Sequence, residues 1–168
     1  HKKTVITLEK IRFPMLGTHN VLNSLAAIAI AREMGIDHNI IQKSLREFKG
    51  VKRRFTLTGN IDGIVIIDDY GHHPVEISAV LESAREAYKG KIVAVVQPHR
   101  FSRLKDLFED FCVCFNNADI VVVSDVYAAG EAPIPGVNRD SLVEGLRARG
   151  HRNVMILKQP EDLAELIN

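Results

Sequence analysis

The chain has 168 residues, of which 46% are hydrophobic and 26% charged, and its formal net charge is +1. These values are typical of a globular protein with a buried core, and the scattered basic residues give no reason to expect nucleic-acid binding. The longest apolar strand runs are about five residues, whereas a bilayer requires roughly 20, so we expect no membrane partner. Cys112 and Cys114 are expected to be buried and reduced, which fits a cytoplasmic protein.

The first fifty residues contain an alternating stretch and two helical patterns. Residues 1–14 alternate polar and apolar side chains and favour one or two strands. A helix is predicted over about 21–34, with Gly35 as its C-terminal stop. Asp37 is a favoured N-cap and predicts a second helix to about residue 48. The apolar face of the first helix carries Leu22, Leu25, Ala26, Ala29 and Ile30.

After a connector over 51–55, strands and helices alternate. Asp62-Gly63 has hairpin chemistry, so the strand over 55–60 is expected to be antiparallel to its neighbour. The later strands are joined by helices, which requires parallel crossovers. The predicted fold is α/β and Rossmann-like, a mostly parallel sheet with one antiparallel edge strand after a helical segment. The further predicted strands are 64–68, 92–97, 120–124 and 153–157, and the helices are 75–88, about 104–117, 141–149 and one from Glu161.

Two of these helices carry start signals. Pro74 occupies the favoured first position of the 75–88 helix. Ser141-Leu142-Val143-Glu144 has the spacing of a capping box, which predicts Ser141 as the N-cap.

Polar side chains collect where the predicted strands end. The β-branched run 64–67 predicts a strand buried on both faces, and 68–73 follow it with two carboxylates and two histidines. Residues 97–100 and 124–131 follow the next two strands in the same way. Because ligands of open α/β sheets bind outside the carboxyl ends of the strands, these segments predict one site.

The first of these segments allows several roles. Asp68 and Asp69 either cap the turn into the next helix or bind a ribose hydroxyl or a metal–phosphate group. His72 and His73 are adjacent and lack the spacing of a chelating pair, so we expect no metal site. Donation to an anion at the helix N-terminus fits the two histidines better.

The second segment is basic. His99, Arg100, Arg103 and Lys105 lie at a predicted helix start, where positive charge is unfavourable. These residues are either the solvated start of a helix or a group whose charge an anionic ligand compensates. The two arginines are suited to clamp a carboxylate or phosphate. The loop over 125–136 is expected to be mostly structural. The chain contains neither G-x-x-x-x-G-K-[ST] nor G-x-G-x-x-G, so a phosphate cradle for ATP would have to come from other sequence.

Five motifs, in this order and spacing, resemble those of the Mur ligases. The first two are similar to Mur ligases generally, and the last three most resemble the members that add L-alanine to UDP-N-acetylmuramate. The motifs are Leu16-Gly17-x-His19-Asn20-Val21-Leu22-Asn23-x-Leu25-Ala26-Ala27, Val51-x-Arg53-Arg54-Phe55, Asp68-Asp69-Tyr70-Gly71-His72-His73-Pro74-x-Glu76-Ile77, Gln97-Pro98-His99-Arg100-Phe101-Ser102-Arg103 and Asp125-Val126-Tyr127-Ala128-Ala129-Gly130-Glu131-x-Pro133-Ile134.

The resemblance implies a place for the chain in a larger enzyme. Residues 1–50 would be the end of the central ATP-binding domain, and 51–168 the C-terminal Rossmann-like domain. The UDP-sugar domain and the P-loop would lie outside this chain, so the chain alone is expected to be inactive. The remaining domains of the same enzyme are its implied partners.

The resemblance also implies a reaction, which belongs to peptidoglycan precursor synthesis. The muramate carboxylate attacks the γ-phosphate of ATP, and the amine of L-alanine attacks the resulting acyl phosphate to give an amide, ADP and phosphate. Mg²⁺ would assist, with its ligands mainly outside this chain. The implied nucleotide contacts are Asn20, Asn23, Arg54 and Asp69, the implied substrate contacts are Tyr70, His72, Arg100 and Arg103, and the implied catalytic residues are His99, Arg100 and Arg103.

Two alternatives stay open. A Mur-type ligase that reattaches recovered tripeptide to UDP-N-acetylmuramate shares the first two motifs, although different residues are expected after its third strand. A non-catalytic Rossmann-like binding module is favoured only by the missing P-loop. A parent reading frame of about three domains at typical domain size would favour a ligase.

Overall fold

The structure is a computed structural model that describes residue 7 and residues 9–167. These residues belong to two compact units, His1–Tyr70 and Gly71–Asn168. The predicted strands at the start of the chain fall mainly on residues outside the described ones, and residues 9–16 form neither helix nor strand. No helix in the described part of the chain is long and apolar enough to cross a bilayer.

The first unit begins with two helices, α1 (Thr18–Glu33) and α2 (His38–Arg46). Gly35 ends α1 with a φ of 74°, a conformation that glycine adopts without a steric penalty. The Asp37 side chain accepts a hydrogen bond from the Asn39 amide at 2.8 Å, as expected of an N-cap. Both helices and both end signals are therefore confirmed.

The buried line of α1 differs from its most apolar face. Asn20, Ser24 and Ile28, spaced four apart, are the buried residues of this helix. Leu22 and Leu25, on the predicted apolar face, are 60% and 54% exposed. Apolar periodicity marks a face able to pack against a partner, but it does not say whether the partner lies within the same unit.

A hairpin completes the first unit. Strands β1 (Thr56–Ile61) and β2 (Ile64–Asp68) pair antiparallel through a two-residue turn. Asp62 and Gly63 have φ values of 51° and 86°, as a type I′ turn requires. The predicted turn and the antiparallel pairing are confirmed.

The position of β2 was predicted wrongly. Among the described strands β2 pairs with β1 alone, in a sheet of two strands. Ile64 and Ile66 are 62% and 49% exposed, whereas Val65 and Ile67 on the other face are partly buried. A run of β-branched residues favours an extended backbone on any sheet, so it does not distinguish a hairpin from a parallel core strand.

The second unit has an α/β fold around a parallel sheet in the order β3-β4-β5. Its three strands pair in parallel, so the predicted fold class is confirmed. The predicted helix over 104–117 is instead two short helices that meet at Leu107, whose φ of −115° is not helical. The elements are α3 (Pro74–Ala87), β3 (Val93–Val96), α4 (Phe101–Asp106), α5 (Phe108–Phe111), β4 (Ile120–Val123), α6 (Arg139–Ala148), β5 (Val154–Ile156), a 3₁₀ turn (Pro160–Asp162) and α7 (Leu163–Ile167).

Helix α6 begins earlier than its sequence signal suggested. Asn138 is the N-cap, and its side chain accepts a hydrogen bond from the Ser141 amide at 2.8 Å. Ser141 donates its hydroxyl to the Asn138 carbonyl from the third helical position. The prediction of Ser141 as the cap was wrong because an equally favoured capping residue lies one turn before it.

Strand β4 is the centre of the second unit. Val121 and Val123 pack into one apolar cluster with helices α3 to α6, and Ile120 and Val122 pack into another with the C-terminal segment. Alternate side chains of a strand point to opposite faces, so β4 is covered on both sides. Removing each such side chain from water stabilises the fold by about 1.5–3 kcal/mol. Cys112 and Cys114 are buried in the first cluster and form no disulfide.

Candidate active site

The pairing of β3 and β4 continues beyond the strands themselves. The Arg100 amide donates to the Tyr127 carbonyl, and the Tyr127 amide donates to the Pro98 carbonyl, both at 2.8 Å. These bonds form an isolated parallel bridge between His99 and Tyr127. The backbone therefore fixes two polar loops side by side at the carboxyl end of the sheet.

Four side chains, His72, His99, Arg103 and Tyr127, form what we call the His99 cluster. The rings of His99 and Tyr127 lie 5.0 Å apart, and those of His99 and His72 lie 5.8 Å apart. Arg103 Nη1 donates to the His99 carbonyl at 3.1 Å and lies 3.4 Å from His99 Nδ1. Three predicted site residues from two strand ends are therefore in one place.

This environment disfavours the charged form of His99. Burial is the largest cause, and the positive charges of Arg103, His72 and Arg100 add to it, so the pKa of His99 lies below its ordinary value of 6.5. The neutral form of His99 is therefore favoured, and a neutral imidazole accepts a proton or a hydrogen bond.

The start of α4 is in contact with the carboxylate of Glu131, which belongs to a later loop. Arg100 precedes the helix with a φ of 74°, and its Nη1 lies 3.7 Å from a Glu131 carboxylate oxygen. Glu131 also accepts hydrogen bonds from the Ser102 amide at 2.9 Å and the Ser102 hydroxyl at 2.7 Å. These bonds hold the pKa of Glu131 below its usual value. Arg100 therefore has a carboxylate partner within the protein, so its presence at this helix start does not by itself require an external anion.

The histidine pair before α3 has two different environments. His73 is the N-cap, and its Nδ1 accepts a hydrogen bond from the Val75 amide at 3.3 Å. Glu76 completes the capping box by accepting from the amides of His72 and His73. Donation by the two histidines to an anion stays a prediction, for which His73 would have to use Nε2, since its Nδ1 is already an acceptor. The His72 and His99 rings lie 5.8 Å apart.

In the first unit, residues 53–55 and 68–70 are joined. The Arg53 side chain lies 3.5 Å from Asp68, and its guanidinium lies 4.7 Å from the centre of the Tyr70 ring. The Tyr70 amide donates to the Arg53 carbonyl, and the Phe55 amide donates to Asp69 Oδ2, both at 2.8 Å. Asp69 and Tyr70, two predicted site residues, are therefore held at the end of the hairpin.

The other predicted nucleotide contacts in this unit differ in exposure. Asn20 is 6% exposed, and its side-chain amide donates to the Leu16 carbonyl at 2.7 Å. Asn23 and Arg54 are exposed. The three residues lie in the same unit, at the start of α1 and before β1.

A cavity of about 400 Å³ opens at the carboxyl ends of β3, β4 and β5. Its polar lining includes Gln97, Ser124, Asp125 and Lys158, and the Gln97 side chain donates to the Asp125 carbonyl at 3.4 Å. A concavity at this edge of a parallel sheet is where ligands of such folds bind. Gln97 precedes His99 by two residues, so the cavity and the His99 cluster share one strand end.

Sequence reasoning missed Tyr127 and Glu131, whose loop was expected to be mostly structural. In the structure α4 begins after Arg100, which is not a favoured N-cap residue, whereas the sequence had predicted a start at about residue 104. A helix start without a local cap indicates a capping group from elsewhere in the chain. In the residues that the structure describes, no three His, Cys, Asp or Glu side chains group to hold a metal ion.

The chain is similar to known proteins along nearly its whole length. The UDP-N-acetylmuramate–L-alanine ligase of Rhodospirillum rubrum is 62% identical over 161 residues, which cover 96% of this chain and 34% of that protein. The ligase of the same name from Gluconobacter oxydans is 65% identical over 157 residues, which cover 94% of this chain and 33% of that protein. The chain therefore spans about a third of the length of the curated relatives it matches.

Solved structures and a family model agree with these relatives. The crystal structure of UDP-N-acetylmuramate-alanine ligase from Thermotoga maritima superposes with a TM-score of 0.76 at 32% identity, covering 94% of this chain and 33% of that one. A family model described as "Mur ligase, glutamate ligase domain" matches residues 53–168, well over half of the sequence. The chain belongs to the Mur ligase family.

Proposed function

We propose that this chain is part of an ATP-dependent ligase that adds L-alanine to UDP-N-acetylmuramate in peptidoglycan precursor synthesis. The observation that carries the proposal is the 62% identity across 96% of the chain to the Rhodospirillum rubrum protein of that name. The position of the predicted residues His72, His99 and Arg103 in one cluster supports it. The enzyme would act in the cytoplasm, where its nucleotide substrates are made.

In the proposed reaction, the second unit would stabilise negative charge and accept a proton. Formation of the acyl phosphate and its attack by an amine both place negative charge on oxygen atoms. Arg100 and Arg103 are suited to stabilise that charge, since a guanidinium donates two parallel hydrogen bonds to phosphate or carboxylate. Neutral His99 is suited to accept the proton that the attacking amine must lose. His72, whose ring faces His99, would help to hold the substrate.

The first unit would supply nucleotide contacts. In this proposal Asn20 and Asn23 contact the adenine, and Arg54 and Asp69 contact the phosphate and ribose groups of ATP. Tyr70 would contact the substrate. Residues 1–50 would then belong to the central ATP-binding domain, and 51–168 to the C-terminal domain.

Mg²⁺ is expected for the phosphoryl transfer, but the described residues do not fit a binding site for it. They contain no group of three His, Cys, Asp or Glu side chains that converges on a point. Asp68 and Asp69, the adjacent carboxylates at the end of β2, are engaged by Arg53 and by the Phe55 amide. We therefore assign no metal ligand among the described residues.

The choice of amine substrate tests the proposal. ADP release would be measured with the complete enzyme that carries this chain, UDP-N-acetylmuramate, ATP and either L-alanine or a tripeptide that begins with L-alanine. We expect kcat/KM to be at least about 100-fold higher with L-alanine, which corresponds to roughly 3 kcal/mol of discrimination. A preference for the tripeptide would identify the peptide-reattaching ligase instead. Release of no ADP with either amine would favour the binding module.

A further inference from the structure

Helix α4 begins in an unusual way. It has six residues, Phe101–Asp106, and its N-cap Arg100 makes no side-chain capping bond. Arg100 has a φ of 74°, a conformation that residues with a side chain rarely adopt and that surrounding contacts must maintain. Arg100 lies directly before the first turn of the helix, and Arg103 lies within that turn. Whatever holds this turn therefore also holds the two arginines.

Glu131 makes the contacts that a local cap would have made. Its two carboxylate oxygens accept from the Ser102 amide and the Ser102 hydroxyl, and one of them lies 3.7 Å from Arg100. A carboxylate at a helix N-terminus satisfies an unpaired amide and is favoured by the helix dipole. The side chain comes from a separate loop, 29 residues further along the chain.

The loop that carries Glu131 is itself tightly formed. The Glu131 amide donates to the Ala128 carbonyl at 3.0 Å, which closes a four-residue turn. The two central residues, Ala129 and Gly130, have φ values of 51° and 86°. A positive φ at both central positions is the geometry of a type I′ turn. The neighbouring bridge between Tyr127 and His99 connects this turn to the segment after β3, so the backbone that carries the Glu131 carboxylate is held in place.

We infer that Glu131 is a positioning residue. Its contacts with Ser102 and Arg100, which we call the clamp, fix the first turn of α4 and so hold Arg100 and Arg103 in place near His99. Arg103 reaches the His99 carbonyl from this turn, so a shift of the turn would move the guanidinium away from its place in the cluster. The predicted effect on catalysis rests on the proposed function, whereas the contacts that form the clamp do not.

Kinetics of the complete enzyme test the consequence. Glu131→Ala is expected to lower kcat for ADP release at least tenfold while KM for ATP changes less than threefold. Glu131→Gln should recover part of the loss, because its amide oxygen still accepts from the Ser102 amide. Adding Ser102→Ala to Glu131→Ala should cost nothing further, since the hydroxyl has already lost its acceptor. The exposed Glu86→Gln is the charge-matched control and should leave kcat unchanged.

Hydrogen exchange of the same variants tests the clamp. In Glu131→Ala the Ser102 amide should exchange at least tenfold faster, while amides of α6 exchange at the wild-type rate. Unchanged exchange at Ser102 would overturn the inference, and so would faster exchange with wild-type kcat. If the wild-type enzyme releases no ADP, the proposed function has failed, and the exchange rates alone decide the clamp.

Discussion

His99 is the residue whose protonation the fold influences most directly. It is partly buried, and Arg103, His72 and Arg100 all lower its pKa below 6.5, against which Glu131 acts in the opposite direction. The unfolded chain therefore binds a proton more readily than the folded chain does. The stability that this group contributes is present above pH 6.5 and is lost as the pH falls through the pKa of the folded state.

The pKa of His99 is directly measurable. We expect an NMR titration of its ring protons to give a value below 6.5, and Arg103→Gln to move it upward because one positive charge is removed. The rise should stop short of 6.5, since burial is the largest cause of the shift. Arg152→Gln, an exposed arginine before β5, is the control for loss of charge. A wild-type value at or above 6.5, or no response to Arg103→Gln, would contradict this account.

At the scale of single residues the sequence predicted part of the candidate site. His99 and Arg103 lie together because both follow β3. The approach of His72 did not follow from the sequence, because β2 is not a strand of the parallel sheet. The role of Glu131 did not, because a contact across 29 residues depends on the tertiary path of the loop. The acceptor role of His73 depends on a ring orientation that the sequence does not specify.

At the scale of elements, the features that depend on a few neighbouring residues were predicted from the sequence, and the features that depend on long-range packing were not. The Asp37 cap and the Asp62-Gly63 turn are set by local backbone chemistry, and both were found. The break at Leu107 and the exposure of Ile66 were missed. Both depend on what packs against the segment rather than on its own composition.

Gly145 marks a close approach of α6 to the residues of α5. A Cβ atom at this position would lie 2.5 Å from Cys112 Sγ and 2.9 Å from Phe108 Cζ. We expect Gly145→Ala to lower the free energy of unfolding by about 1–2 kcal/mol, because overpacking costs about 1–3 kcal/mol and alanine regains up to about 1 kcal/mol of helix propensity. Urea unfolding followed by circular dichroism measures the change. Gly90→Ala, where a Cβ meets nothing within 4 Å, is the control.

The Gly145 prediction has a clear opposite outcome. If Gly145→Ala is as stable as Gly90→Ala or more stable, then the side chains of Phe108 and Cys112 can move aside without lowering the free energy of unfolding. The two helical segments would then be packed more loosely than the distances indicate.

At the scale of the whole molecule, the chain corresponds to about a third of the relatives it resembles. Its first unit carries exposed apolar side chains on α1, among them Leu22 and Ile30 at 60% and 62%. The 168 residues contain no P-loop, the element that holds ATP phosphates in many ligases and kinases. The proposed nucleotide contacts Asn23 and Arg54 are exposed side chains without such a cradle.

The absence of a P-loop predicts weak nucleotide binding by this chain alone. We expect calorimetry to give a dissociation constant for ATP of about 1 mM or weaker, near −4 kcal/mol. No amide product should form when the chain is mixed with ATP, UDP-N-acetylmuramate and L-alanine. The complete enzyme in the same titration is the positive control. Micromolar affinity of the chain alone would show that its own residues suffice to hold the nucleotide.

The most direct measurement is the turnover of the complete ligase with His99 or Arg103 replaced by alanine. We predict that each variant lowers kcat for alanine-dependent ADP release at least tenfold, about 1.4 kcal/mol or more of transition-state stabilisation, while the melting temperature stays near the wild-type value. Arg152→Ala should retain wild-type turnover. Rates within twofold of the wild type for both His99→Ala and Arg103→Ala would contradict the claim that the His99 cluster carries the chemistry.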